Sequence, residues 1–386
     1  MRHDDSISIC KGLAIILMVV GHAEAPSALT GFIYEFHMPL FFITAGYFFN
    51  LKYLNDEATF VKRRLRGLYV PFVKWSLFFL AIHNLMFQLG ILNECYGNSA
   101  GGVTHPYTWH QIQQNAWSIV FSMGGYDEFL AGAFWFFRAL LVASILFLAA
   151  YKLAAAGGRV LSHWRGRHWA DPLHSPATAI GVGAAVVVAL YLALLWKSAG
   201  QLRIVTLVQG GDRDLMGCFF FGVGFLLRYA LRRIPQPWGL TLLYAAAVWA
   251  FSRWMPASMT FRTSLHQVLA LPVAAVLGFL MTYNVSTIIN RRDNTLRRFL
   301  VYCGDNTLCV FVFHIVAFKA VSLVKIWYYD LDWLQMGCHL VIHEHSQDDL
   351  FWLLYSIAGV GIPLFVNHSY HRLRTRHCRK APNQGT

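Results

Sequence analysis

Lys11-Gly12-Leu13-Ala14-Ile15-Ile16-Leu17-Met18-Val19-Val20-Gly21-His22 is the stretch whose reading decides the fold. Between a lysine and a histidine lie ten residues with no ionisable group. At 1.5 Å per residue the two ends are about 16 Å apart on a helix, roughly three turns. In a soluble protein such a segment would be one buried core helix. In a bilayer it is most of a span, with Lys11 near one face and His22 in the opposite half. An ionisable group held inside a membrane is costly, so it points to function by default. An unperturbed imidazole titrates near pH 6.5 and is well suited to take a proton from a hydroxyl. The plain alternative for His22 is an interfacial histidine bonded to a carbonyl.

Nine more apolar runs follow the first, which extends over 7–24: 31–50, 68–92, 133–152, 177–196, 214–231, 238–255, 265–287, 300–324 and 350–366. Most approach the 20 or so residues that cross about 30 Å of hydrocarbon. A shorter stretch, 116–123, reads as re-entrant or interfacial. Composition agrees. Apolar residues make up 56% of the chain and charged residues 13%, against about 25% charged in ordinary soluble domains. So few charges leave too little polar surface to clothe a soluble globule, and disorder and disulfide-scaffold classes are excluded with it. The first run carries no cleavage-site pattern and is expected to stay in place as a span.

The net charge of +13 suggests a polyanionic partner such as nucleic acid. The placement of the cations gives another reason for it. If the N-terminus is cytoplasmic and every run crosses, the five further inward segments hold nineteen Lys and Arg and the outward ones five. That bias is the positive-inside signal, and no nucleic acid is needed to explain the charge. The expected fold is therefore all-α: a polytopic membrane protein of about ten transmembrane helices with both termini cytoplasmic. Residues 1–386 read as a single integral-membrane unit that closes on a basic cytoplasmic tail, 367–386. No internal repeat is evident.

The polar residues inside or beside the runs are the places for chemistry. Glu35 and His37 open the second run at the same end as His22, and a carboxylate near an imidazole can orient it and support the imidazolium; a water-exposed loop glutamate is the alternative. Arg63, Arg64 and Arg66 cluster at the start of the third run, where arginine forks suit phosphate oxygens, although the topogenic bias alone accounts for them. Arg138 lies within the fourth run and needs an anionic or carbonyl partner. Trp135 precedes it by three residues, on the same helix face, as a sugar-stacking or membrane-belt residue. His314 sits in the ninth run, eight residues after Asn306. His339, His343 and His345 sit in a long outward loop and invite a metal reading, but the HExxH arrangement with its general-base glutamate is missing. Cys95 and Cys338 both fall outside and could pair in an oxidising compartment.

Taken together, these residues carry a resemblance. The chain resembles the acyltransferase-3 proteins, the membrane-bound O-acyltransferases of surface glycans that include fucose O-acetylase-like enzymes. The likeness rests on Lys11-Gly12 through Gly21-His22, on Phe36-His37-Met38-Pro39-Leu40-Phe41-Phe42 with Gly46-Tyr47, and on Arg63-Arg64-Leu65-Arg66 with Pro71. It continues through Phe134-Trp135-Phe136-Phe137-Arg138 and Gly304-Asp305-Asn306-Thr307-Leu308 with His314. The order and spacing of these pieces are specific where each alone is weak.

The resemblance implies transfer of an acyl group, usually acetyl, from cytoplasmic acyl-CoA to a carbohydrate hydroxyl, in a bacterial cytoplasmic membrane. The acceptor is a cell-surface glycan or its lipid-linked precursor, and no metal is expected. Joined to the residue reading above, it makes His22 and Glu35 the catalytic candidates and Lys11, Arg63, Arg64 and Arg66 the candidate ligands of the acetyl-CoA phosphates. His37, Trp135, Arg138 and His314 are the candidates for binding substrate. Two positions depart from the family pattern. Lys11 stands where an arginine is usual, which keeps the charge and loses the bidentate fork, and Ala45 stands where a serine is common before Gly46. The competing reading is a transporter or flippase of glycan intermediates, with His22, Glu35, Arg138 and His314 as its polar path. Paired inverted repeats would favour it.

Overall fold

A computed structural model describes residues 5–96, 105–166, 168–202, 211–231, 237–341 and 349–380. Among these residues the fold is helical, with no strand. The helices are α1 (Ser6–Gly21), α2 (Ser27–Tyr34), α3 (His37–Tyr47), α4 (Glu57–Gln88), α5 (Trp109–Ser122), α6 (Glu128–Trp164) and α7 (Pro176–Ala199). They continue with α8 (Asp212–Ala230), α9 (Trp238–Trp254), α10 (Leu265–Asn290), α11 (Thr295–Asp305), α12 (Thr307–Tyr329) and α13 (Phe351–Lys380).

Each of the ten apolar runs lies on one of these helices or on a consecutive pair. Among the described residues, seven stretches are long and apolar enough to cross a membrane: Ser27–Tyr47, Glu57–Gln88, Glu128–Trp164, Pro176–Ala199, Leu265–Asn290, Thr307–Tyr329 and Phe351–Leu373. α1, with 16 residues, and α9, with 17, are shorter. α8 carries Asp212, Arg213 and Asp214 in its first turn. Large apolar side chains such as Leu153, Leu192, Leu243, Ile357 and Phe365 stand exposed on the outer helix faces. Water would penalise that surface; hydrocarbon does not.

Local chemistry sets the helix starts. Asp56, Asp127, Ser175 and Asn294 each accept a backbone N–H from the first turn that follows. Thr108 with Gln111, and Ser264 with Gln267, form reciprocal capping boxes. The first of these starts α5, whose exposed Trp109, Trp117 and Phe121 make the aromatic face that suits an interfacial helix. Two runs prove to be broken. The 31–50 run divides at Phe36, whose φ of −144° leaves the helical range. The 300–324 run divides at Asn306. α4 stays continuous through a π-helical turn at Leu65–Tyr69.

Two apolar clusters form the interior. One gathers α3, α6, α8 and α10 around Phe42, Phe49, Phe147, Phe221 and Phe225. The other gathers α1, α4, α6, α12 and α13 around Val19, Phe72, Phe79, Phe134 and Tyr355. Phe41, Leu68 and Phe136 touch both. Where backbones cross, only glycine fits. A Cβ on Gly304 would lie 1.8 Å from the Ser8 carbonyl oxygen, and one on Gly12 would lie 2.2 Å from that of Leu300, so α1 and α11 are in direct backbone contact. Polar ties fix the same end. Arg297 pairs with Asp5 and bonds Asn290 Oδ1 at 2.9 Å, and Asn290 reaches Ser6 at 3.1 Å. At the other end, Asp212 pairs with Lys197 and accepts the Thr263 N–H at 2.6 Å.

Candidate functional site

Lys11, Ile15, Met18 and His22 are spaced four, three and four residues apart, so they form one stripe along α1. The stripe faces matching rows from three other helices. α3 supplies Met38, Phe41, Thr44 and Ala45; α6 supplies Phe136, Phe137 and Leu140; α12 supplies Thr307, Leu308 and Phe311. Between the rows lies a cavity of about 230 Å³ that has Lys11, Gly67 and Leu68 in its lining. A second cavity, of about 190 Å³, is lined by His22, Tyr34, His37, Trp135, Arg213 and Ser258, among others. Met18, Met38 and Phe311 line both. The two cavities therefore abut and run along α1 between the two apolar clusters. At one end are the arginine-rich starts of α4 and α11; at the other are the starts of α6 and α8.

The second cavity belongs to the imidazoles. His37 is buried, and its Nδ1 donates to the Ile33 carbonyl at 2.9 Å. His314 is buried in the same way, with Nδ1 against the carbonyls of Phe311 at 2.9 Å and Val310 at 3.2 Å. A carbonyl only accepts, so Nδ1 carries the hydrogen in both rings, and in the neutral ring Nε2 keeps its lone pair. Nε2 of His314 has no partner among the described residues. His22 is half-buried, with its ring centroid 5.5 Å from that of His314 and 6.5 Å from that of His339. Tyr34 stacks on His37 at 5.1 Å and donates its hydroxyl to the Gly21 carbonyl at 2.8 Å, next to His22.

His339 reaches this cluster from the loop before α13. Lys319 holds that loop by donating to the carbonyls of Met336 at 2.7 Å and Cys338 at 2.6 Å. Desolvation, with His22 and Lys319 nearby, pushes the His339 imidazole down to about 3. It is therefore uncharged near neutral pH.

The sequence candidates separate on this geometry. His22, His37 and Trp135 line the second cavity, Lys11 lines the first, and His314 stands beside His22. The pairing expected between Glu35 and an imidazole is not what the structure contains. Glu35 Oε1 accepts the Ala257 N–H at 2.8 Å, and Oε2 has no partner among the described residues. The reason is the break at Phe36, which separates Glu35 at the end of α2 from His37 at the start of α3 and sends the carboxylate to the 255–259 loop. Arg138 is buried, with Nη1 3.5 Å from the Met123 carbonyl, and it is not among the residues lining the cavity. Arg213, one position before the apolar run that begins α8, occupies that place. Its guanidinium lies 4.2 Å above the Trp135 ring.

Among the clustered arginines, Arg63 and Arg66 are exposed, and Arg63 bonds the Tyr53 hydroxyl at 2.8 Å. Arg64 turns inward against the rings of Phe60 and Phe221, at 5.1 and 5.5 Å. His343 and His345 lie outside the described residues, and among the described residues no group of His, Cys, Asp and Glu could hold a metal. Cys95 and Cys338 are free thiols, although Asn93 bonds the Leu334 carbonyl at 2.6 Å and brings their segments together.

Against known proteins, the acyltransferase-3 family model, described as an acyltransferase domain, matches residues 4–366. No curated protein and no solved structure gives a match.

Proposed function

Because the chain belongs to the acyltransferase-3 family and is a multi-pass membrane acyltransferase, we propose that it takes an acetyl group from cytoplasmic acetyl-CoA. The group passes to a hydroxyl of a cell-surface carbohydrate or its lipid-linked precursor, in a bacterial cytoplasmic membrane. The observation that carries this reading is the Lys11–Ile15–Met18–His22 stripe, with its two abutting cavities. CoA is a polyanion that does not cross a bilayer, so its nucleotide stays at the arginine-rich end. There the exposed Arg63 and Arg66 meet phosphate as forks and Lys11 as a point charge. The apolar rows of α3, α6 and α12 then accept the uncharged arm of the donor, which brings the thioester toward His22.

At the far end the His22 imidazole takes the proton of the acceptor hydroxyl. The hydroxyl oxygen forms the new C–O bond to the thioester carbonyl, and the C–S bond breaks. The CoA sulfur leaves with the proton that His22 returns. A route with the acetyl group resting first on His22 uses the same residues. His314 and His339, both beside His22, are placed to orient its ring. Glu35 acts as a positioning residue, because the loop it caps at Ala257 carries Ser258 and Met259 into the cavity.

The test is direct. Purified protein is incubated with acetyl-labelled acetyl-CoA and membrane glycans, and the products are separated. Label is expected in an alkali-labile ester on the carbohydrate. Glycans that remain unlabelled while the folded protein is present would contradict the reading.

A further inference from the structure

We propose that the acceptor carries a fixed negative charge, a carboxylate or a phosphate, and that Arg213 binds it. This rests on the acyltransferase reading of the same site and adds the class of acceptor. Arg213 stands in the first turn of α8 and lines the second cavity with His22, His37 and Trp135. Among the described residues it forms no ion pair, and its Nε is buried without a hydrogen-bond partner. One face of the guanidinium rests on Trp135 at 4.2 Å. Stacking occupies the face of the planar group and leaves its edge, where the N–H groups point, for an anion that can accept two of them.

The nearby carboxylates do not use that edge. Asp214 is buried, faces Arg138 as well as Arg213, and forms no hydrogen bond with either; Glu128 acts on Arg213 only at longer range. Among the described residues no carboxylate lines the cavity. A cation that lines the cavity of the proposed base, stacked on an indole and in no ion pair among the described residues, is a receptor for a charged group on the molecule that brings the hydroxyl. The Trp135 ring beside it offers a surface for a sugar ring.

Binding separates this proposal from the reading beneath it, because it needs no turnover. Methyl glucoside, methyl glucuronide and glucose 1-phosphate are titrated by calorimetry into the purified protein, without donor. The wild type is expected to bind at least one of the two anions about tenfold or more tighter than the neutral glycoside, and the one preferred identifies carboxylate or phosphate. Arg213→Gln is expected to abolish the preference and Arg213→Lys to keep part of it, with both variants eluting as the folded wild type does. If the glutamine variant fails to fold, the wild-type preference and its weakening in the lysine variant carry the test. Equal affinity of the wild type for all three glycosides overturns the proposal, as does an anion preference that Arg213→Lys leaves undiminished. Charge-selective binding without acetyl transfer would keep the anion site and remove the reading on which it was built.

Discussion

Replacing His22 by alanine is expected to lower acyl transfer by about 10²- to 10⁴-fold, the usual worth of a positioned general base, with melting temperature close to that of the parent. The large effect follows from placement. His22 caps the one stripe of α1 that lines both cavities, and the rings beside it, His314 and His339, are held from outside. His314 is fixed by the carbonyls of its own helix, and His339 by the loop that Lys319 clamps. The modest effect on stability follows from partial exposure and from the absence of any side-chain hydrogen bond of His22 among the described residues that truncation would orphan. The check is single-turnover transfer from labelled acetyl-CoA, measured beside thermal unfolding. A folded His22→Ala protein that transfers at the parental rate would move the chemistry to another residue.

Gly304→Val is expected to have the largest structural effect. Its new Cβ would enter within 1.8 Å of the Ser8 carbonyl oxygen, and the Cβ position of Gly12 is similarly closed by Leu300. Both obstacles are backbone, so no side chain can swing aside. Overpacking of this kind typically costs about 1–3 kcal/mol and occasionally more, and relief requires α1 to leave α11. That movement carries Lys11 and His22 with it. Loss of the folded species in detergent, or a melting temperature lower by several degrees with transfer falling alongside it, is the expected outcome. A variant that melts with the parent would contradict the close crossing.

The apolar runs and the order of their motifs were enough to read an all-helical membrane protein and its family before any coordinates. Hydrocarbon demands length and hydropathy, and both are written residue by residue. Finer features depend on contacts that no run reveals. The break at Phe36 sits inside an apolar stretch, and it decides that Glu35 meets Ala257 rather than an imidazole. Arg213 stands one position before an apolar run and carries no sequence signal of its own; only the approach of α8 to α6 sets it on Trp135. His339 drew notice for its spacing to His343, whereas its role comes from a distant lysine, Lys319, that folds its loop onto His22. One signal was open to reading. Thr108 followed by Gln111 is a capping box, and it announces α5 ahead of the 116–123 stretch.

On the proposed function, the cavities along α1 join a donor end to an acceptor end on opposite sides of the membrane. The most direct test is sidedness in proteoliposomes of defined orientation. Labelled acetyl-CoA is supplied only on the side that exposes Arg63 and Arg66, and glycan acceptor only on the other. Labelled acceptor is expected across the bilayer, and none when the donor is moved to the acceptor's side. Transfer that requires donor and acceptor on one side would contradict it.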